Sequence, residues 1–441
     1  MSDKRCIDRR NFLKASLAAG VCTTGIIENN KIKTDLSIQP GDINIKEYRT
    51  LGRTGFRVSD IGFGASFLTV PGLLDRALQM GVNYIDTGEH YSGGQSESTI
   101  GQVINKHDRK SIFITTKLNI RMGRGRTLKE RFYQCLERMQ TDYADCLMIH
   151  MTPDVEQVKN EEFHKTYQEL KSDGKVNFLG LSNHGKEQSI YGNTTVEMTD
   201  VMLAAAEDGR FDAALFVYNF LQKEQGEKII RKFKEKNMGV TLMKTNPVNV
   251  YSRWLASYED NMRRGRQPSE RSKKLKEEYN EWLKQADSFK EKYELTTDRE
   301  ISDVATKFCL SNPDVHSVCP TITNFDMLNN FVSLSGQKLS ETDSSRLTDY
   351  KETLGRYYCR HACGICLPAC PHEVPVNTIM RYNHYFEAQG REKQAMQKYA
   401  ALSKEKAGKC SDCTGYCEGK CPYNVPVRSL LINAHINLSL V

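Results

Sequence analysis

Eight cysteines stand in two sets near the end of the chain: Cys359, Cys363, Cys366 and Cys370, then Cys410, Cys413, Cys417 and Cys421. The spacings read C-x3-C-x2-C-x3-C-P and C-x2-C-x3-C-x3-C-P. Several thiolates from one short loop can converge on an iron–sulfur cluster, and a proline after the last cysteine sends the chain outward in a fixed direction. Two other chemistries stay open. A four-cysteine zinc site is one, although it favours C-x2-C pairs separated by a longer loop. Disulfides stapling a small exported domain are the other. Cys6, Cys22, Cys135, Cys146, Cys309 and Cys319 fall in the N-terminal segment or in apolar positions and read as small core residues.

A second constellation is Asp86, Tyr91, Lys117 and His150. Singly, each has a bland reading: a capping aspartate, a solvated lysine, a histidine satisfied by structure. Together they make a proton-donating unit. An ammonium beside a phenol favours the phenolate and is expected to lower the tyrosine pKa from about 10 towards working pH. Tyr91 is then the acid, Lys117 its tuner and Asp86 the anchor of the lysine, while His150 donates to the same carbonyl oxygen.

These residues need elements to carry them. Short apolar runs near 60, then at 82–86, 111–117, 145–150, 176–182, 213–218, 239–244 and 316–321, predict eight strands. Between them lie helical patterns such as Leu128, Phe132, Leu136 and Met139, or Phe163, Tyr167 and Leu170 closed by Gly174. Eight alternations point to an α/β fold, a (β/α)₈ TIM barrel over 48–350, with 251–296 as an inserted charged surface helix. In such a barrel the active site lies at the C-terminal strand ends. Asp86, Lys117 and His150 end the second, third and fourth runs, and Tyr91 follows the second.

The 441 residues are 39% hydrophobic, enough for a barrel and a smaller module, and not the composition of a disordered or fibrous chain. The net charge of +7 is small and spread out, so nucleic-acid binding is not indicated. The blocks "RRGRQPSERSKKLK" and "GRGRTLKER" read as solvated surface. Residues 1–30, with Arg9, Arg10, Phe12, Leu13 and Lys14, resemble a twin-arginine export signal, a frayed basic tail being the alternative. The apolar run from Leu17 to Ile27 is too short for a transmembrane segment. Residues 31–47 read as a linker.

The segments "YRTLGRTGFRVSDIGFGA", "MGVNYIDTGEHYSGGQSESTIG", "ITTKL", "RMQTDYADCLMIH", "LKSDGKVNFLGLSNH" and "PDVHSVCPTITNFDMLNNF" resemble aldo-keto reductase segments, in order, over roughly residues 48–335. The resemblance implies a (β/α)₈ barrel that interconverts carbonyls and alcohols with a nicotinamide cofactor. Its tetrad falls on Asp86, Tyr91, Lys117 and His150, the Ser–Asn pair that holds the carboxamide on Ser182 and Asn183, and further cofactor contacts on Thr321 and on Asn330, at the adenine. Three positions depart from the pattern. Leu215 stands for a carboxamide-binding glutamine, Lys244 and Thr245 for a stacking aromatic, and "PTITNFDMLNN" lacks the Lys and Arg that clamp a 2′-phosphate, which favours NAD over NADP.

The two cysteine sets resemble a ferredoxin-like module over 355–435, holding two [4Fe-4S] clusters. By that analogy Cys359, Cys363 and Cys366 take Cys421 as fourth ligand, and Cys410, Cys413 and Cys417 take Cys370. The whole resembles a bacterial subgroup in which such a tail follows the barrel. This implies a periplasmic oxidoreductase, exported by the twin-arginine route, that acts on a small carbonyl or sugar and trades electrons with a one-electron carrier. The alternative is an electron-transfer protein whose barrel is a docking scaffold.

Overall fold

The computed structural model describes residues 43–439, apart from 124, 190–191, 195, 249–258, 260–261, 266, 268–269 and 403–405. The segment read as an export signal, with Cys6 and Cys22, lies outside them. The last residues of the expected linker already pack on the body: Ile45 is buried, and Lys46 N donates to Ser335 Oγ at 2.8 Å.

An antiparallel hairpin, β1 (Tyr48–Thr50) and β2 (Arg57–Ser59), comes first. Then follow β3 (Phe63–Gly64), β4 (Tyr84–Asp86), β5 (Phe113–Leu118), β6 (Ala144–Ile149) and β7 (Val176–Asn183). A small hairpin, β8 (Glu187–Ser189) and β9 (Gly192–Thr194), leads on to β10 (Ala213–Val217), β11 (Gly239–Met243) and β12 (Ser317–Val318). Each of the eight expected runs overlaps one strand of the sheet that follows, with β5, β6 and β7 each passing the expected limit by one residue. They pair in parallel in the order β3-β4-β5-β6-β7-β10-β11-β12. The two edges meet through parallel bridges Ile61–Val318 and Gly64–Thr321, with Gly64 N donating to Pro320 O at 2.9 Å, so the sheet closes into a barrel.

The barrel's interior is plugged by Tyr84, Phe113, Cys146, Met148, Leu215 and Cys319, with Leu51 and Val58 of the hairpin among them. All six residues of β6 are buried, as expected of a strand covered on both faces. The covering helices include α1 (Pro71–Gln79), α2 (Gln95–Ile104), α3 (Leu128–Met139), α4 (Glu161–Ser172), α5 (Met198–Asp208) and α6 (Lys223–Glu235). The Leu128, Phe132, Leu136, Met139 stripe faces inward on α3. Thr127 and Glu130 form a capping box there, a device that stabilises a helix start by about 1 kcal/mol.

Helix α7 (Glu270–Lys292) fills the expected insertion. It is not only a solvated helix: Trp282, Ala286 and Phe289 are buried in a second core shared with the C-terminal segment, and Trp282 meets Tyr357 edge-on at 5.8 Å. Helices α8 (Asp298–Leu310), α9 (Phe325–Ser333) and α10 (Glu341–Glu352) complete the barrel layer.

The C-terminal segment carries α11 (Val376–Glu387), α12 (Glu392–Ala400) and α13 (Val427–Leu438), and no strand among its described residues. Its halves repeat. "CPHEVPV" (370–376) and "CPYNVPV" (421–427) each turn through one left-handed residue, Glu373 at φ 49° and Asn424 at φ 51°, and each then starts a helix behind a proline. No helix among the described residues is long and apolar enough to cross a membrane.

Candidate functional site

Asp86 ends β4, Lys117 sits near the end of β5, His150 follows β6, and all three are buried at one rim. Tyr91 comes back over them because the chain after it turns through three left-handed residues, Ser92, Gly93 and Gly94, of which only glycine takes φ 94° without strain. Lys117 Nζ donates to Asp86 Oδ2 at 2.7 Å, to Thr87 O at 2.5 Å and to Tyr91 Oη at 3.2 Å. The rings of Tyr91 and His150 meet edge-on at 5.7 Å. All four expected residues are therefore brought together.

The electrostatics differ from expectation at Tyr91. Burial raises the phenol pKa, Lys117 lowers it and Asp86 raises it, and the net result is a value pushed up to about 12. The lysine lies closer to Asp86 than to the phenol and cannot outweigh the loss of water. Tyr91 thus keeps its proton, which suits an acid better than a phenolate would. Burial disfavours the Lys117 ammonium, but Asp86 and Tyr91 more than offset it and hold its pKa above the ordinary lysine range. Burial, then Lys117, holds His150 well below the imidazole range, so it is neutral, with Nδ1 lacking a hydrogen-bond partner.

Glu89, which the sequence did not single out, fixes this loop. It accepts from Arg131 and from Asn119 N (2.8 Å), and Arg131 also donates to Asn119 O at 2.7 Å. Burial opposes the charge on Glu89, but His90, Arg131 and Asn119 hold its pKa down to about 2. The "EHY" stretch, an acid two residues before Tyr91, was the available signal.

Ser182 and Asn183 close β7 on the same rim, with hydrogen bonds already made. Met151 N donates to Ser182 Oγ at 3.0 Å, while Asn183 Nδ2 donates to Thr152 O at 2.6 Å and its Oδ1 accepts from Gly185 N. Leu215 points into the barrel plug. Thr321 Oγ1 lies 3.2 Å from Ser66 Oγ. Asn330 is engaged with α8: its Oδ1 accepts from Arg299 Nε at 2.6 Å, and its Nδ2 donates to Asp303 at 2.7 Å. Arg299 brings to this end of the rim a guanidinium that the loop "PTITNFDMLNN" lacks.

The eight C-terminal thiols line two recesses. Cys359, Cys363, Cys366 and Cys421 share one of about 350 Å³, part of it open to solvent, walled by Val376, Val425 and Val427. Cys370, Cys410, Cys413 and Cys417 share the other, of about 340 Å³, walled by Val374, Val376 and Leu431. These are the exchanged sets expected from the ferredoxin resemblance. Burial first, then neighbouring thiols (for Cys366, Cys417 of the other recess ahead of Cys363 and Cys421; for Cys410, Cys417, Cys370 and Cys413), push both up to about 12, so several thiolates are not stable there without a cation to bind them. All twelve described cysteines are free thiols. Among the described residues no three His, Cys, Asp or Glu side chains close on the position of a single ion. Four thiols between apolar walls are a donor set that fits either an iron–sulfur cluster or a four-cysteine zinc site.

Residues 66–352 match the family model described as the aldo/keto reductase family. The chain is 30% identical over 155 residues to L-galactose dehydrogenase of Arabidopsis thaliana, a match covering 31% of this chain and 48% of that one. It is 30% identical over 162 residues to the aldo-keto reductase YhdN of Bacillus subtilis, covering 32% and 48%. It therefore spans about half the length of the curated relatives it matches. Among solved structures, the holo form of aldo-keto reductase AKR11C1 from Bacillus halodurans aligns over 69% of this chain and 96% of that one, at 22% identity and a TM-score of 0.49. The aldo-keto reductase from Klebsiella pneumoniae in complex with NADPH aligns over 68% and 94%, at 16% identity and a TM-score of 0.47.

Proposed function

The chain belongs to the aldo/keto reductase family, and from that premise we propose that it interconverts a carbonyl and an alcohol, with Tyr91 giving or taking the proton. A nicotinamide, when bound, supplies or accepts the hydride, and two [4Fe-4S] clusters, when bound, pass electrons singly. The observation that carries this reading is the lysine hub, with Lys117 Nζ 2.7 Å from Asp86 and 3.2 Å from Tyr91. Tyr91, protonated up to about pH 12, holds the proton for a carbonyl oxygen at the barrel mouth. Lys117 takes up negative charge that develops on the phenol, and Asp86 keeps the ammonium in place. Neutral His150 orients the same oxygen.

Ser182 and Asn183 are the groups to hold a carboxamide, and Thr321 and Asn330 to line the far end of the cofactor. NAD is favoured over NADP because the loop 320–330 carries Asp326 and no Lys or Arg, and Arg299 would have to leave Asn330 to meet a 2′-phosphate. Cys359, Cys363, Cys366 and Cys421 would hold one cluster and Cys370, Cys410, Cys413 and Cys417 the other, in a ferredoxin-like role facing a one-electron carrier. The Arg9–Arg10 segment supports export to the periplasm, where dissolved nicotinamide is scarce and recharging through the clusters would be useful.

The test is turnover of Tyr91→Phe with nicotinamide and a panel of aldehydes and sugars. Loss of an acid of this kind costs about 10²–10⁴ in rate, and undiminished turnover would remove Tyr91 from the mechanism. The scaffold reading is favoured by Asn183, whose amide is already bonded at both ends. It predicts no heat of nicotinamide binding in calorimetry.

A further inference from the structure

The two cysteine sets repeat, and the position after the first cysteine breaks the repeat. Arg360 follows Cys359, whereas the exposed Ser411 follows Cys410. Arg360 is 4% exposed and lies on the wall of the recess shared by Cys359, Cys363, Cys366 and Cys421. Its Nη1 donates to Tyr358 O at 2.8 Å and to Gly355 O, and its guanidinium lies over the ring of Tyr423, on the same wall, at 4.6 Å. Carbonyls and a ring are thus its partners among the described residues, and no carboxylate is. Its Nε is buried and has no hydrogen-bond partner. A guanidinium does not give up its charge in a protein, and in so dry a place a negative centre beside it is strongly favoured. A [4Fe-4S] cluster on four thiolates is such a centre, a dianion when oxidised and more negative by one charge when reduced.

The second recess is charged differently. Arg428 on its wall is half-buried, and its hydrogens go to Cys410 O at 3.1 Å and Ser411 O at 2.9 Å. A carboxylate stands beside it, since Glu418, next to Cys417, accepts from Arg428 N at 2.8 Å. Other contributions do not separate the recesses. Both receive an N–H on sulfur, from Asn377 Nδ2 to Cys359 at 3.4 Å and from Gly415 N to Cys413 at 3.5 Å. Lys409, Asp412 and Lys420 are exposed, and water screens them. Lys186, which approaches Gly364 in the first set, is paired with Glu197. What remains is a buried positive charge at the first recess against a half-buried one, opposed by a carboxylate, at the second. Reduction adds negative charge to a cluster, so a nearby cation raises its potential, and more so where water is excluded.

We propose that Arg360 is the counter-charge of the first cluster and sets its reduction potential above that of the second, so that an electron in the module rests at the first recess. The proposal rests on the two-cluster reading above. Its step is the passage of one electron from the second cluster, which is oxidised, to the first, which is reduced, with no proton moved and no bond broken. The first recess is also the one whose loop meets the barrel rim: His361 N, next to Arg360, donates to Gln222 Oε1 at 3.0 Å, and Gln222 Nε2 donates back to His361 O at 2.8 Å. Arg360 is a positioning residue in this, acting on the charge of the cluster and not on the substrate.

The test is a redox titration of the full, cluster-loaded chain at one fixed pH, followed by electron paramagnetic resonance, with Cys421→Ser and Cys370→Ser assigning the two signals. In the parent, the signal lost in Cys421→Ser is expected to be the higher in potential. Arg360→Gln should weaken reduction of that cluster at least about tenfold, a fall of about 59 mV for one electron, and leave the other signal in place. Arg360→Lys, which keeps a cation, should restore most of the shift, whereas a role confined to holding the Gly355 and Tyr358 carbonyls would move neither potential. Should Arg360→Gln lose the first cluster along with those contacts, the order of the two potentials in the parent decides. A first signal at or below the second in the parent, or one unmoved in an iron-replete Arg360→Gln, overturns the proposal. Failure of the cluster reading would show earlier and differently, as a purified chain that carries zinc, no iron and no visible absorbance, and would take the proposal with it.

Discussion

Replacing Lys117 by methionine separates the structural from the chemical work of the lysine hub. Lys117 is fully buried, and its Nζ lies 2.7 Å from both carboxylate oxygens of Asp86, itself 4% exposed. Without the ammonium, Asp86 is a buried charge with no counter-charge, and breaking such a pair costs about 3–5 kcal/mol. The carboxylate can escape by taking a proton. Burial already raises the Asp86 pKa, with Lys117 opposing, so removing the lysine raises it further. A carboxyl whose folded pKa exceeds its unfolded one binds more protons when folded, so stability falls as pH rises from the unfolded value through the folded one. Lys117→Met should therefore be least damaged at acid pH and lose its full several kcal/mol at alkaline pH. The double variant Asp86→Asn, Lys117→Met removes the orphaned charge and should regain most of the stability, yet turnover should stay low because nothing stabilises charge on Tyr91. Urea denaturation followed by circular dichroism, at about pH 5 and about pH 8, reads the first two effects. If Lys117→Met proves as stable as the parent at both pH values, or the double variant proves no more stable than the single one, Asp86 and Lys117 are not the buried ion pair described here.

Two further predictions concern other parts of the chain. Cys421→Ser should lose about half the iron, from the recess it shares with Cys359, Cys363 and Cys366, while Cys370→Ser should lose the other half. Iron counts with electron paramagnetic resonance of the reduced variants check this, and Cys421→Ser disturbing the Cys410, Cys413, Cys417 signal would refute the exchanged ligation. His316 accepts the Val240 N–H on Nδ1 at 2.8 Å, which a protonated ring cannot do. Burial, then Arg49, lowers its pKa from 6.5 to about 4. Below the unfolded value the unfolded chain binds the extra proton, so stability declines from about pH 6.5 to pH 4 by about 3 kcal/mol at 1.36 kcal/mol per unit. His316→Asn should flatten that part of the acid-denaturation curve relative to the parent.

The barrel was legible because each parallel strand is an apolar run set between amphipathic helices. Β-strand positions such as 144–149 are buried on both faces and tolerate little else. Three of the rim residues, Asp86, Lys117 and His150, were legible for the same reason, since strand ends place them, and Tyr91 follows the first of them by five positions. What was not legible depends on burial and on contacts between distant parts of the chain. The direction of the Tyr91 shift follows from how much water the rim excludes, which spacing does not encode. Glu89 and Arg131 are 42 positions apart, and only the fold shows that one clamps the other beside the tyrosine loop. Arg299 reaches Asn330 from α8, outside the loop where a phosphate clamp was sought. The helix 270–292 looked solvated because its charges outnumber its apolar residues, and the few that matter pack inward, Trp282 against Tyr357 and Phe289 against Tyr350.

The rim and the C-terminal segment are also explained by each other. Lys244, at a left-handed φ of 54°, stands where the family pattern often has a stacking aromatic, and its Nζ lies 2.8 Å from His184 Nδ1 at the end of the barrel strands. The segment supplies the second histidine, from between two cluster cysteines, and glycine at 185 leaves room for the loop that carries it. The departures at Lys244 and the approach at Gly185 thus fall where the cysteine-bearing loop lands. A chain in which the tail were merely tethered would need neither. If barrel and clusters trade electrons as proposed, the packed loop from Lys244 to His361 and along the chain to Cys359 is a short route between them, and substitutions at His361 should then disturb both ends of it.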